Sequence, residues 1–165
     1  MGTLCIEGKI DPLSAVELVT GRKAAVDETM LIQLKRKFPA LLDNVQRIDC
    51  GNGWYPLVET LCCAIQDRCT RLEKKGMIRQ IKEKLGSLRV YVDIQDEAIE
   101  AYRGIAERLS QLTCEECGSQ IEIGRTKTPM KTVCRKCATN RGALGQWRLY
   151  EAKNMPATDG IPIDV

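Results

Sequence analysis

Two cysteine pairs, Cys114 with Cys117 (CEEC) and Cys134 with Cys137 (CRKC), constrain this chain more than any other feature. Each is a C-x2-C, and sixteen residues lie between Cys117 and Cys134, a spacing at which two tight loops can bring four sulfurs to one point. Four thiolates so arranged suit a tetrahedral zinc ion, and Cys114, Cys117, Cys134 and Cys137 are the expected ligands. Gly118 follows the first pair and suits a knuckle whose backbone N–H groups curl toward the sulfurs. Ile121 and Ile123 then alternate with polar residues, 124–129 can turn, and 131–133 lead back to the second pair. The expected order is knuckle, hairpin and start of a helix, the outline of a treble clef or zinc ribbon over 114–150.

The other readings of these cysteines are weaker. Two disulfides call for an oxidising compartment, yet the first ten residues have neither the basic nor the apolar part of a secretory signal. A thioredoxin-like redox pair needs only one C-x2-C and a βαβ setting that the sequence lacks. Four cysteines fill the zinc tetrahedron and leave no position for water or substrate, so the expected role of the metal is structural. The filled shell carries two excess negative charges, and Lys127, Lys131, Arg135 and Lys136 lie near in sequence. They serve either as charge compensation or as contacts to phosphate.

A chain of 165 residues suits one main core, expected at 1–113, with the metal module at 114–150 and a flexible tail at 151–165. The balance of 25 basic and 22 acidic residues gives +3, which names no partner. No apolar stretch approaches the ~18 residues of a membrane span, so a soluble, cytosolic protein is expected. Histidine is absent, which removes Ser-His-Asp and Cys-His nucleophiles and the commonest general base. Phosphate-loop, dinucleotide-binding and HExxH motifs are missing too, and Glu97 and Glu100 have the spacing of a solvated helix face. Catalysis is not expected.

Along the chain, Asp11-Pro12 opens a first helix that ends near Gly21, and Asp27 is positioned to cap a second with Met30, Leu31, Leu34 and Phe38 on its apolar stripe. Leu41, Leu42, Val45 and Ile48 lead into an ordered connection. The segment CGNGWYPLVETLCCAIQDRC then places a turn at 51–53 and a helix opened by Pro56, with Leu57, Leu61, Ile65, Cys69 and Leu72 inside. Trp54 and Tyr55 are either a lid on the core, the favoured reading, or an exposed binding anchor. Cys62, Cys63 and Cys69 read as packing residues, and a second metal site with Cys50 has no zinc spacing.

From Met77 to Asp93 the period changes to two, with a turn at Gly86-Ser87, which predicts a β-hairpin. Lys82, Lys84 and Arg89, with Tyr91 nearby, form either a solvated polar face or a cationic face for nucleic acid. Asp96 caps the next helix, whose apolar side is Ile99, Tyr102, Ile105, Ala106 and Leu109 and which runs without a linker into Cys114. The module is therefore expected to dock rigidly on the core. The fold class is α+β: a helical core, a small antiparallel hairpin and the C-terminal zinc module.

The stretches CGNGWYPLVETLC at 50–62, QIKEKLGSLRVYV at 80–92 and IAERLSQLTCEECG at 105–118 resemble a group of small, largely uncharacterised proteins encoded by bacteriophages and prophages. The resemblance covers 50–140. Such proteins often place a histidine in the second half of the module, where this chain has Cys137. The resemblance implies a viral origin, a bacterial host cytoplasm and an accessory role in infection, and it brings no catalytic residues. The expected function is a non-enzymatic, zinc-stabilised protein that contacts a bacterial host macromolecule and occludes a defence component. The alternative is a nucleic-acid-binding or regulatory protein. From Cys114 to Arg148 seven basic residues face three acidic ones, an excess of four that falls to about two once the metal and its thiolates are included. Oligomeric state is open, since an exposed Trp54 or a free hairpin edge would pair subunits.

Overall fold

The structure, a computed structural model, describes residues 23–150. The helix expected after Asp11, Cys5 and the tail 151–165 lie outside the described residues.

Helix α1 (Lys23–Lys37) begins before Asp27, which therefore stands inside the helix and not at its cap. Its Met30, Leu31, Leu34 and the following Phe38 recur at helical spacing and are buried. Lys35, Arg36 and Lys37 complement the negative end of the helix dipole, and Pro39 discourages continuation. Leu41, Leu42, Val45 and Ile48 then all enter the core.

Strand β1 (Ile48–Asp49) pairs in parallel with β2 (Ile78–Lys84), Ile48 opposite Ile81. The hairpin of β2 and β3 (Ser87–Val92) is thus part of a three-stranded mixed sheet in the order β1-β2-β3. Two residues of parallel strand leave no periodic trace in a sequence. The hairpin turn is Leu85-Gly86, both at positive φ (52° and 75°), one residue earlier than expected. A register irregularity between Ile78 and Gln80 rotates the start of β2, so Ile78 and Ile81 are both fully buried despite their odd spacing.

A short 3-10 turn (Asn52–Trp54) leads into α2 (Tyr55–Arg71), with Pro56 in the first turn where a missing N–H breaks no helical bond. The buried face is Val58, Leu61, Cys62, Ile65 and Cys69; Leu57 and Leu72, expected inside, are half-buried because the face is rotated by one residue. Burial pushes the Cys62 thiol up to about 12, so it stays protonated and packs as a small apolar group.

Helix α3 (Glu97–Ser110) starts at Asp96, whose Oδ1 accepts the Ile99 N–H at 3.1 Å while its carboxylate receives Arg68 Nε and Nη2 at 3.0 and 2.9 Å. Ile99 and Ala106 are buried as expected, whereas Ile105 and Leu109 are 39% and 41% exposed. The helix lies along the outer edge of β3: Ser110 Oγ accepts the Leu88 N–H at 2.8 Å and Arg103 Nε donates to Val90 O at 2.7 Å. Those contacts cover the edge of β3, where subunit pairing through a free hairpin edge had been an open option. At the other end of α2, Trp54 Nε1 donates to Thr113 O at 2.8 Å, so α2 and α3 run antiparallel and are tied at both ends.

Buried side chains form one large cluster from Met30 to Ala106 and a second of Cys114, Ile123, Val133, Cys134, Cys137, Ala138 and Trp147. Each fully buried Leu, Ile or Val of the first contributes about 1.5–3 kcal/mol before entropy is subtracted. Among the described residues no helix is long and apolar enough to cross a membrane.

Candidate metal centre

The second cluster is built by two loops and a helix start. Residues 114–118 form the first knuckle: Gly118 has a φ of +75°, a conformation that favours glycine, and its N–H reaches Cys114 O at 2.9 Å. Strands β4 (Ile123–Arg125) and β5 (Thr132–Cys134) form the hairpin, with Ile123 opposite Cys134. Helix α4 (Arg135–Asn140) starts on Cys134, whose Sγ accepts the Cys137 N–H at 3.4 Å as a side-chain cap. Strand β6 (Arg148–Leu149) closes a second three-stranded sheet, β5-β4-β6. Ile121 does not join β4: Glu122 sits at a φ of 48°, the strand begins after it, and Ile121 is 76% exposed.

The sulfurs of Cys114, Cys117, Cys134 and Cys137 all lie within 4.8 Å of one another, and none is in a disulfide. Cys117 Sγ and Cys134 Sγ are 3.7 Å apart, close to the edge of about 3.8 Å of a tetrahedron whose metal–sulfur bonds are ~2.3 Å. These four residues therefore suit a metal ion. Three of them are buried and Cys117 is exposed. Burial pushes the Cys114 thiol up to about 11 and raises that of Cys137 as well. At Cys134 burial acts in the same direction, but the Cys137 N–H and the neighbouring thiols outweigh it and hold the group below its ordinary value. A divalent cation bound here would displace the thiol protons.

The knuckle is seated in the core by backbone contact. A Cβ on Gly53 would stand 2.8 Å from Cys117 N, and closer still to Cys114 O and Gly118 N. Only a residue without a side chain lets the two loops approach so far. Gly53 N donates to Glu115 O at 2.8 Å, and Gly51 N donates to Glu115 Oε1 at 3.1 Å. Glu115, 3% exposed and lying between the two cysteines of the first pair, also receives Lys131 Nζ at 2.7 Å. Lys131 Nζ reaches Glu83 of β2 at 3.1 Å as well, and Thr132 Oγ1 donates to Gly86 O at 2.6 Å. Burial works to lower the Lys131 ammonium, yet both carboxylates together raise it above its ordinary value. The module is thus joined to the core by a buried polar seam.

The candidate contact residues divide. Trp54 is a correction to the anchor reading: it is fully buried in the core with its indole N–H bonded, as the lid reading had it. Tyr55 is half-buried and hydrogen-bonds Glu59 at 3.3 Å, and Glu59 also pairs with Lys37. Lys131 belongs to the seam and not to a phosphate-binding surface. Arg135 pairs with Glu122 at 3.3 Å and lies 5.6 Å from the Trp147 ring centre. Arg89 pairs with Glu107. Lys127, Lys136 and Lys84 are exposed, and Lys82 sits 5.1 Å over the Tyr91 ring, cross-strand from Arg89. Cys50, Cys62, Cys63 and Cys69 assemble no metal-ligating group among the described residues.

Sequence reasoning missed two members of the centre. Trp147 is buried against Gly124 and donates its indole N–H to Val133 O at 2.9 Å, roofing the second pair. Its signal was a glycine in the middle of a three-residue strand, which leaves room for a large ring from elsewhere. Glu115 enters the sequence reading only as one of the module's three acidic residues, and nothing local marks it as buried.

No family model matches the chain, and no curated protein or solved structure matches it either.

Proposed function

We propose that the centre binds one zinc ion as a treble-clef module and that the chain is a non-enzymatic, zinc-stabilised binding protein. The carrying observation is the cage itself: four converging sulfurs, three of them buried, with the first knuckle seated on the core. A four-thiolate shell has no open position for a reacting ligand, so the metal's contribution is to hold two loops together. Thiolates and a borderline-soft ion match in chemistry, and the absence of oxygen donors in the cage disfavours magnesium or calcium.

The partner in this reading is a bacterial host macromolecule met by a phage-encoded accessory protein in the host cytoplasm, inhibited by steric occlusion. Support for it is the resemblance over 50–62, 80–92 and 105–118. These three stretches supply the glycine loop, the β2–β3 hairpin and the α3-to-knuckle junction, so what they have in common is the joint that seats the metal centre. They carry an architecture more than a target.

Nucleic-acid binding is the second reading, favoured by exposed Lys127, Lys136 and Lys84 and by Lys82 over Tyr91. It is weakened because Arg89, Lys131 and Arg135 are engaged by carboxylates. Retrieval from bacterial lysate with zinc-loaded protein, before and after nuclease, separates the two. A specific protein retained after nuclease, and lost with metal-stripped protein, supports host-protein contact. Recovery only of nuclease-sensitive material overturns it. In that case Lys127→Ala with Lys136→Ala flattens the dependence of affinity on salt.

A further inference from the structure

We infer that Cys117 is the oxidation site of the metal centre, the sulfur through which peroxide opens it by joining Cys117 to Cys134. This rests on the zinc reading above. The four ligands are unequal: Cys114, Cys134 and Cys137 are buried at 0%, 4% and 8% exposure, while Cys117 is open to solvent. Cys134 moreover accepts the Cys137 N–H at 3.4 Å, and such a bond draws electron density from a thiolate. An oxidant arriving from solvent therefore meets the Cys117 sulfur first.

The chemistry is complete with a peroxide as oxidant. The Cys117 thiolate attacks one peroxide oxygen, an S–O bond forms, the O–O bond breaks, and hydroxide leaves, giving a sulfenic acid that no longer holds the metal as a thiolate. Cys134 Sγ, 3.7 Å away, then attacks the Cys117 sulfur; the S–S bond forms, the S–O bond breaks, and a second hydroxide leaves. Two thiolates have lost one electron each and the two peroxide oxygens have gained them, and a divalent ion held there would be left with two of its four ligands. No element need cross the molecule for this, since the two sulfurs already share an edge of the cage.

The core reads the event directly. The N–H of Cys117 and that of Gly118 lie against Gly53, and the next residue, Trp54, is bonded to Thr113 O beside Cys114. Trp147 covers the second pair. Both tryptophans of the chain therefore border the centre and report its opening by fluorescence.

The test begins with the metal content of purified protein, then follows zinc release, tryptophan emission and mass-spectrometric mapping of cysteines at successive times after hydrogen peroxide. The expected course is modification of Cys117 concurrent with zinc release, followed by a Cys117–Cys134 disulfide and a change in emission. Cys117→His keeps a fourth zinc ligand at an exposed position, and its zinc release is expected to slow about tenfold. Purified protein without zinc overturns both the zinc reading and this inference. Zinc-loaded protein whose first modified cysteine is any other overturns this inference alone, as does Cys117→His protein that releases zinc at the wild-type rate. Should Cys117→His not retain zinc, the mapping on the unmodified sequence decides.

Discussion

The helical core and the metal module are stabilised by different means, although they share one seam. In the core, Leu34, Leu42, Ile48, Trp54, Val58, Ile65, Ile78, Ile81 and Ile99 are fully buried and pack as a continuous apolar mass. The module's own cluster has four apolar non-cysteine members, Ile123, Val133, Ala138 and Trp147, beside three ligand cysteines. That is a far smaller apolar set than the one that fills the core. A core of the first kind folds through water exclusion; on the zinc reading proposed above, a centre of the second kind is completed by the ion.

The largest effect that sharpens this contrast is removal of the metal. Chelation, or Cys114→Ser, is expected to expose the amides of 114–147 to hydrogen exchange while those of α2 remain protected, because structural zinc contributes on the order of 10 kcal/mol to such modules. Equal loss of protection in α2 would mean that the core has no independent stability. Next in size is Gly53→Ala, which drives a methyl group into the knuckle backbone and should cost roughly 3 kcal/mol in denaturant unfolding. An unchanged midpoint would remove the seam from the account. Lys131→Met leaves Glu115 buried without its cation and should cost roughly 2 kcal/mol, less when paired with Glu115→Gln in a double-mutant cycle.

The smallest effect lies wholly within the core and concerns acid. The Arg68 guanidinium, together with the Ile99 and Ala98 N–H groups, holds the Asp96 carboxyl below its usual 3.8. The folded state therefore takes up this proton less readily than the unfolded chain. Its stabilising effect is present above the unfolded value and is lost as pH falls through the depressed folded value. Arg68→Gln should move the acid limb of the unfolding curve to higher pH, and chelation of the module should leave that displacement in place.

The same contrast governs what was legible in the sequence. The four-cysteine cluster was legible because C-x2-C spacing is a local geometric requirement, and α2, α3 and the hairpin because their apolar periods are long enough to count. Asp96 showed itself as a cap by type and position. What escaped notice depends on contacts between distant segments. Strand β1 is two residues long, the rotation of β2 comes from one register irregularity, and Glu115 is buried only because the glycine loop, β5 and β2 converge on it. The CGNGW segment reads as a turn whose aromatics are a lid on the core or, alternatively, an exposed anchor; folded, its glycines are a seat for the first knuckle and its tryptophan is buried and tied to Thr113, as the lid reading has it. An exposed anchor and a buried tie have the same residues, and only the neighbour 59 positions away distinguishes them.

The central claim is that four cysteine sulfurs hold one zinc ion as a closed structural centre. X-ray absorption at the zinc edge on purified protein, with metal content measured on the same sample, tests it most directly. The account predicts one zinc per chain with four sulfur neighbours at about 2.3 Å and no oxygen or nitrogen in the first shell. Zinc with a light-atom ligand, or protein that purifies without zinc and with these cysteines oxidised, would contradict it.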